Sequence, residues 1–173
     1  MKILVLGNRM DVVPVLQCDG HIMEDKVTPE FAKDFDFLIS YGYRHILKRD
    51  ILDLFPDKAI NLHISMLPWN KGADPNYWSF VDDTPKGVTI HYMDEGLDTG
   101  DIIAQRVVEM SRDETLSTSY EKLHAAMLML LHEQLPSILD GTCSRTKQIG
   151  KGSYHKSADK DGMDIDYNKV LAI

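Results

Sequence analysis

Two short segments of this 173-residue chain hold side chains able to act on a carbonyl. In Asn61-Leu62-His63-Ile64-Ser65, an amide and an imidazole stand two positions apart in what reads as a strand. Both therefore point to one face, with Leu62 and Ile64 on the other. The strand runs into Met66-Leu67-Pro68 and a Pro/Gly loop. At a strand's carboxyl end, the amide can donate to a developing oxyanion while the imidazole handles a proton or adds positive charge. The second segment, 87–103, is a strand, an acidic loop and a second strand. Asp98 lies in that loop between Gly96 and Gly100, where the backbone can turn sharply and approach a ligand. A carboxylate there could hold His63 in one tautomer and stabilise its protonated form. Taken singly, a lone histidine is more often a hydrogen-bonded structural residue, and Asn or Asp beside Gly more often caps a turn.

The elements that must position these residues alternate between strand and helix. Ile3 to Leu6 is a continuous apolar run, as for a strand buried on both faces. Val12 to Leu16 reads as a short helix with Pro14 in its first turn, or as irregular chain, and His21 to Glu24 as a short strand. Thr28-Pro29 opens a helix with a capping hydroxyl and a first-position proline. Phe35 to Ser40 is a strand, and Ile46, Leu47, Ile51, Leu52, Leu54 and Phe55 recur at helical spacing up to Pro56. Strands follow at Lys58 to Ile64, Gly87 to Met93 and Ile102 to Glu109, with a helix at Pro75 to Val81. Thr118-x-x-Glu121 reads as a capping box opening the longest helix, which runs to Pro136. His124 and His132 are expected at its surface or rim, and Met127 and Met129 in the core. The pattern predicts an α/β layered domain with a largely parallel sheet over 1–140, followed by a polar tail over 141–173. Ligands in such sheets bind beyond the carboxyl ends of the strands.

Composition narrows the classes. A charge of −8, from 27 acidic and 19 basic residues, disfavours nucleic acid and anionic membrane as partners. No run approaches the ~20 apolar residues of a membrane span. Cys18 and Cys143 form no disulfide framework and suit a reducing cytoplasm. After Gly7 come Asn8-Arg9-Met10-Asp11, without the glycines of a dinucleotide fingerprint. His63, His91 and Asp98 have no helical His pair or Cys pair beside them, so no metal is expected. For His91 a structural role is at least as good a reading as a place in the pocket.

Asn61-Leu62-His63-Ile64-Ser65-Met66-Leu67-Pro68, followed by Leu97-Asp98-Thr99-Gly100-Asp101-Ile102, resembles the signature of the formyltransferases. That family includes glycinamide ribonucleotide, methionyl-tRNA and sugar N-formyltransferases. The resemblance spans roughly residues 36 to 140 and implies a Rossmann-like domain, here shortened at its N-terminal side. It implies Asn61, His63 and Asp98 as catalytic trio and 10-formyltetrahydrofolate as formyl donor. An uncharged amine would attack the formyl carbon, Asn61 and protonated His63 would stabilise the tetrahedral oxyanion, and Asp98 would keep His63 oriented. Tyr41-Gly42-Tyr43-Arg44-His45-Ile46-Leu47 looks like the family's pterin-binding turn. Arg44, His45 and Leu47 are then cofactor-binding candidates, with Asp94, Glu95 and Gly96 opposite. For Leu47, core packing is the better reading, although its backbone could do both. Ser65, Asn70 and Lys71 are the substrate-binding candidates.

The resemblance also frames the acceptor. The loop Trp69 to Trp78 and the segment Gly152-Ser153-Tyr154-His155-Lys156 are similar to those of sugar-modifying members. Arg145, Lys147, Lys151, His155 and Lys156 form a local positive run that could attract a nucleotide phosphate or simply be solvated. The expected acceptor is a small-molecule amine, an amino sugar that could be nucleotide-linked. The chain leaves no room for the β-barrel domain of methionyl-tRNA formyltransferase. Hydrolysis of formyltetrahydrofolate, or folate binding with reduced catalysis, are the alternatives.

Overall fold

The computed structural model describes residues 1–171. The chain forms strands β1 (Lys2–Leu6), β2 (Asp19–Met23), β3 (Phe37–Tyr41) and β4 (Ala59–His63). The two-residue β5 (Lys71–Gly72) follows, then β6 (Gly87–Tyr92), β7 (Ile102–Val107) and β8 (Tyr154–His155). Helices are α1 (Val13–Leu16), α2 (Pro29–Ala32), α3 (Arg49–Leu52), α4 (Pro75–Val81) and α5 (Leu116–Asp140). Six strands make one sheet in the order β2-β1-β3-β4-β6-β7. The first four are parallel, and β6 runs antiparallel to both β4 and β7. This is the α/β, Rossmann-like layered domain with a largely parallel sheet that the alternation of elements predicts.

The inner strands are apolar on both faces because both faces are covered. Ile3, Val5, Phe37, Ile39, Ile60 and Leu62 pack with Leu123, Met127 and Leu131 of α5. Leu4, Leu6 and Leu38 alternate with them and pack against Leu47, Ile51 and Phe55 on the other side. Asn61 and His63 share that second face, so the strand's period of two carries them away from α5.

Several elements differ from expectation. Helix α5 starts three residues early: Thr115 Oγ1 accepts from Thr118 N and Thr118 Oγ1 accepts from Thr115 N. The capping box is thus Thr115/Thr118, and the added turn buries Leu116. The helix also passes through exposed Pro136 to Asp140, since Ile138 beyond the expected stop is buried. Burial of ~1.5–3 kcal/mol per such side chain offsets the ~3 kcal/mol cost of an interior proline. Met129 is exposed whereas Met127 lies in the core. His124 is buried, not peripheral: its ring bonds to Tyr41 Oη at 2.7 Å and Asp11 at 2.5 Å. The helical pattern over 46–55 yields only the four residues of α3: Leu47, Ile51 and Phe55 are drawn into the core while Ile46 and Leu54 stay exposed. The segment after residue 140 returns across the molecule. Thr146 bridges Ile102, β8 pairs with β5, and Tyr167 and Leu171 meet the start of α5. Among the described residues, no helix is long and apolar enough to cross a membrane.

Candidate active site

A cleft of about 250 Å³ opens at the carboxyl ends of β3 and β4. Its floor holds Asn61, His63, His91 and Asp98. The sheet delivers them directly: in the antiparallel β4–β6 ladder, Asn61 stands opposite His91 and His63 opposite Thr89. Asp98 comes from the loop between β6 and β7 and adopts a left-handed backbone, φ 55°. One carboxylate oxygen accepts from Asn61 Nδ2 at 3.0 Å, and the other from the Gly72 amide at 2.8 Å. The second oxygen also lies 3.6 Å from His63 Nδ1.

Burial alone would raise the Asp98 carboxyl, but the charge of His63, the hydrogen bond from His91 and the Gly72 N–H outweigh it. The net effect holds the group far below the usual carboxylate range. His63 Nε2 is 2.8 Å from the Asn70 carbonyl oxygen, so that nitrogen carries a hydrogen and donates it. An imidazolium would turn its second N–H toward Asp98. The amide of Asn61 is more occupied than its role as an oxyanion donor implies. Besides Asp98 it reaches His91 Nε2 at 3.2 Å, while His91 Nδ1 donates to Tyr92 O at 2.8 Å. Nδ1 of His91 therefore carries a hydrogen, and its Nε2 faces both the Asn61 amide and the nearer Asp98 oxygen, 3.5 Å away. His91 thus both lines the cleft and orients the amide.

The other candidate residues separate into two groups. Arg44, His45, Leu47, Asp94, Glu95 and Gly96 all line the cleft. Leu47 is also part of the core below it. Asp94 Oδ1 accepts from Gly96 N at 3.0 Å and Thr99 Oγ1 at 2.6 Å, which shapes the loop. Glu95 takes a bidentate pair from Arg49, at 2.6 and 3.0 Å, across the cleft mouth. Ser65, Asn70 and Lys71 do not line it. Ser65 Oγ donates to Trp69 O at 2.7 Å, and the Asn70 side chain is held by Thr84 and Asp82. Of the positive run, Arg145 is paired with Asp57 and Asp101, and His155 with Asp82. Among the described residues, no three His, Cys, Asp or Glu side chains are grouped to hold a metal ion.

The profile of the formyl transferases matches residues 23–135. The chain belongs to that family. Among curated formyl transferases, the methionyl-tRNA formyltransferase of Agathobacter rectalis is 35% identical over 163 residues, covering 87% of this chain and 53% of that protein. The enzyme of the same name from Myxococcus xanthus is 35% identical over 149 residues, covering 82% of this chain and 48% of that protein. The chain thus spans about half the length of the curated relatives it matches. Among solved structures, the formyltransferase PseJ from Anoxybacillus kamchatkensis superposes with a TM-score of 0.88 at 44% identity, covering 98% of this chain and 95% of that one. It was solved in complex with UDP-4,6-dideoxy-4-formamido-L-AltNAc and tetrahydrofolate. A 4-N formyltransferase from Francisella tularensis shares the fold, with a TM-score of 0.81 at 23% identity over 99% of this chain and 83% of that one.

What holds Asn61, His63 and Asp98 in place in this family member leaves little trace in the sequence. Gly72 and Gln148 carry no signal of their own, since their contribution is a backbone amide and an amide reaching backbone oxygens. The register that sets His91 against Asn61 could be read only after β4 and β6 were known to be antiparallel neighbours.

Proposed function

We propose that this protein transfers a formyl group from 10-formyltetrahydrofolate to the amine of a nucleotide-linked amino sugar. The observation that carries the reading is the contact of Asn61, His63 and Asp98 on the floor of one cleft. Leu47, Met93 and Leu97 supply apolar walls beside the backbone of two irregular loops. That mixture of apolar face and hydrogen-bonding edge suits a heteroaromatic ring such as the donor's pterin. The donor supplies an activated formyl carbon. Asn61 and His63 face the place where its oxygen would gather charge, with N–H groups that can turn from His91 and the Asn70 carbonyl to meet it. Asp98, ionised across the working range, keeps the imidazole oriented and balances its charge.

The acceptor reading rests on a second cavity. About 450 Å³ in size, it lies on the α5 side of the sheet and is lined by Ile64, Tyr77, Tyr120, Lys160 and Tyr167. Ile64 is the next residue after His63, so the end of β4 separates the two cavities. Three aromatic rings suit the stacking of a nucleotide base, while Lys160, paired with Asp74 at 2.7 Å, and Glu121 give the lining a mixed charge. The resemblance to PseJ over nearly all of both chains supports the same class, and a charge of −8 disfavours tRNA. The test follows tetrahydrofolate release from 10-formyltetrahydrofolate with nucleotide-linked amino sugars, with methionyl-tRNA, and with no acceptor. Release that requires the sugars and falls ~10²–10⁴-fold in His63→Ala is expected. Release with tRNA alone would move the acceptor to tRNA, and release without an acceptor would make the protein a deformylase.

A further inference from the structure

The groups that hold His63 and Asp98 are themselves held by a segment beyond residues 23–135, the part matched by the family profile. Asn70, whose carbonyl receives His63, is fully buried with a left-handed backbone, φ 55°. Its N–H donates to Ser153 Oγ at 2.8 Å, and its Oδ1 accepts from Thr84 Oγ1 at 2.6 Å. Its Nδ2 reaches Asp82 Oδ2 at 3.3 Å. The same Asp82 oxygen accepts from His155 Nε2 at 2.7 Å, and the His155 ring lies flat on Trp78, 3.9 Å between centroids at 3°. Two residues beyond Asn70, the Gly72 amide that binds Asp98 belongs to β5, which pairs with β8 outside the main sheet.

Backbone bonds close the join. Lys71 N donates to Ser153 O at 2.9 Å, Ala73 N to His155 O at 2.9 Å, and Ser153 N to Pro68 O at 3.2 Å. The approach is tight: a Cβ on Gly152 would fall 1.9 Å from Pro68 O. From the other side, Gln148 Nε2 donates to the carbonyls of Asp98 and Gly100 at 2.8 and 2.9 Å. A two-residue strand cannot fix its own position, because its amides lack the ladder that regular elements provide.

We propose that residues 148–155 form a clasp that sets the geometry of the His63–Asp98 pair, with Ser153 and His155 as positioning residues acting through Asn70 and β5. What the pair then does rests on the proposed formyl transfer; how it is held does not. A misplacement of ~1 Å at a reacting group can cost about 10²-fold in rate, so removing one bond of the clasp should register in turnover before it registers in stability.

The test uses three variants of the full chain. Ser153→Ala removes the acceptor of the Asn70 N–H. His155→Phe keeps a ring on Trp78 but removes the donor to Asp82, and His155→Gln restores a donor. Two readouts are taken: kcat and KM for donor and acceptor, and the ring ¹⁵N signals of His63. The first two variants should lower kcat by about 10-fold or more with KM within about twofold, and shift the His63 ring signals while core amide signals stay in place. His155→Gln should recover most of the rate. Unchanged kcat with unmoved ring signals would overturn the proposal. So would a rise in KM at constant kcat, which would make the segment a substrate-contacting surface. If no tested acceptor is turned over, the formyl-transfer reading fails by itself, and the His63 signals still decide whether the clasp sets the ring.

Discussion

Asp98 shows how one side chain can be fixed by several weak partners at once. Burial opposes its charge, yet His63, His91 and the Gly72 amide together hold it ionised far into acid. A carboxylate with a lowered folded pKa stabilises the fold fully above its unfolded value, ~3.9, and loses that contribution as pH falls below it. The stability gap between wild type and Asp98→Asn should therefore narrow as pH falls from about 5 to about 3. Urea midpoints across that range measure it, and a gap that stays constant down to pH 3 would show that folding does not hold Asp98 charged. That Asn61 and His63 share one face was legible in the two-residue spacing on a strand, whereas their grouping with Asp98 was implied by the resemblance and not by the residues alone. The engagement of Asn61 by His91 was not, because it depends on a neighbouring strand's direction, which side-chain types do not encode. The bonds of Ser65 to Trp69 and of Asn70 to Thr84 and Asp82 were likewise not legible, because a polar loop residue can serve the fold as readily as a ligand.

At the scale of elements, the turn between β6 and β7 is set by contact with backbone. A Cβ on Gly100 would lie 1.7 Å from Tyr92 O and 3.4 Å from His91 Nδ1. Neither the strand nor its bulge at Ile90/His91 can yield without disturbing the Asp98 loop. Gly100→Ala is expected to cost roughly 1–3 kcal/mol, a fall in Tm of about 2–12 °C at this chain length. A variant that melts like wild type and keeps its activity would show that the turn can relax. Element existence followed well from periodicity, as at β1 and α4, which the apolar run and Pro75 announced. Boundaries failed where burial overrode local signals: Leu116 extended α5 backward, and Ile138 carried it past Pro136. The segment 46–55 failed in the opposite way: its apolar residues recur at helical spacing, yet Ile46 and Leu54 stay exposed and only four residues form the helix.

Across the whole molecule, a second polar network ties helix to sheet on the face away from the trio. Buried Tyr41 of β3 and His124 of α5 join the exposed Asp11 in one chain, with Arg9 bonded to Asp11 at 3.1 Å. His124→Phe would leave the Tyr41 hydroxyl without its partner and should lower stability by about 1–3 kcal/mol, read as a shift in urea midpoint at unchanged slope. A midpoint equal to wild type would mean that water replaces the imidazole. The network was hidden because helical spacing marked only Leu123, Met127, Leu130 and Leu131 as the inward face. The join of Asn70 to Ser153 has another consequence, since it spans 83 residues of chain. Closing so long a loop for a two-residue ladder gives little return, so this contact should be among the last to form in folding and the first to open on warming. Amide hydrogens of Lys71 and Ala73 should then exchange faster than those of β1 and β3, and turnover should fade at temperatures where the sheet is still intact. The working temperature limit of this protein would be set by a local opening and not by its melting point.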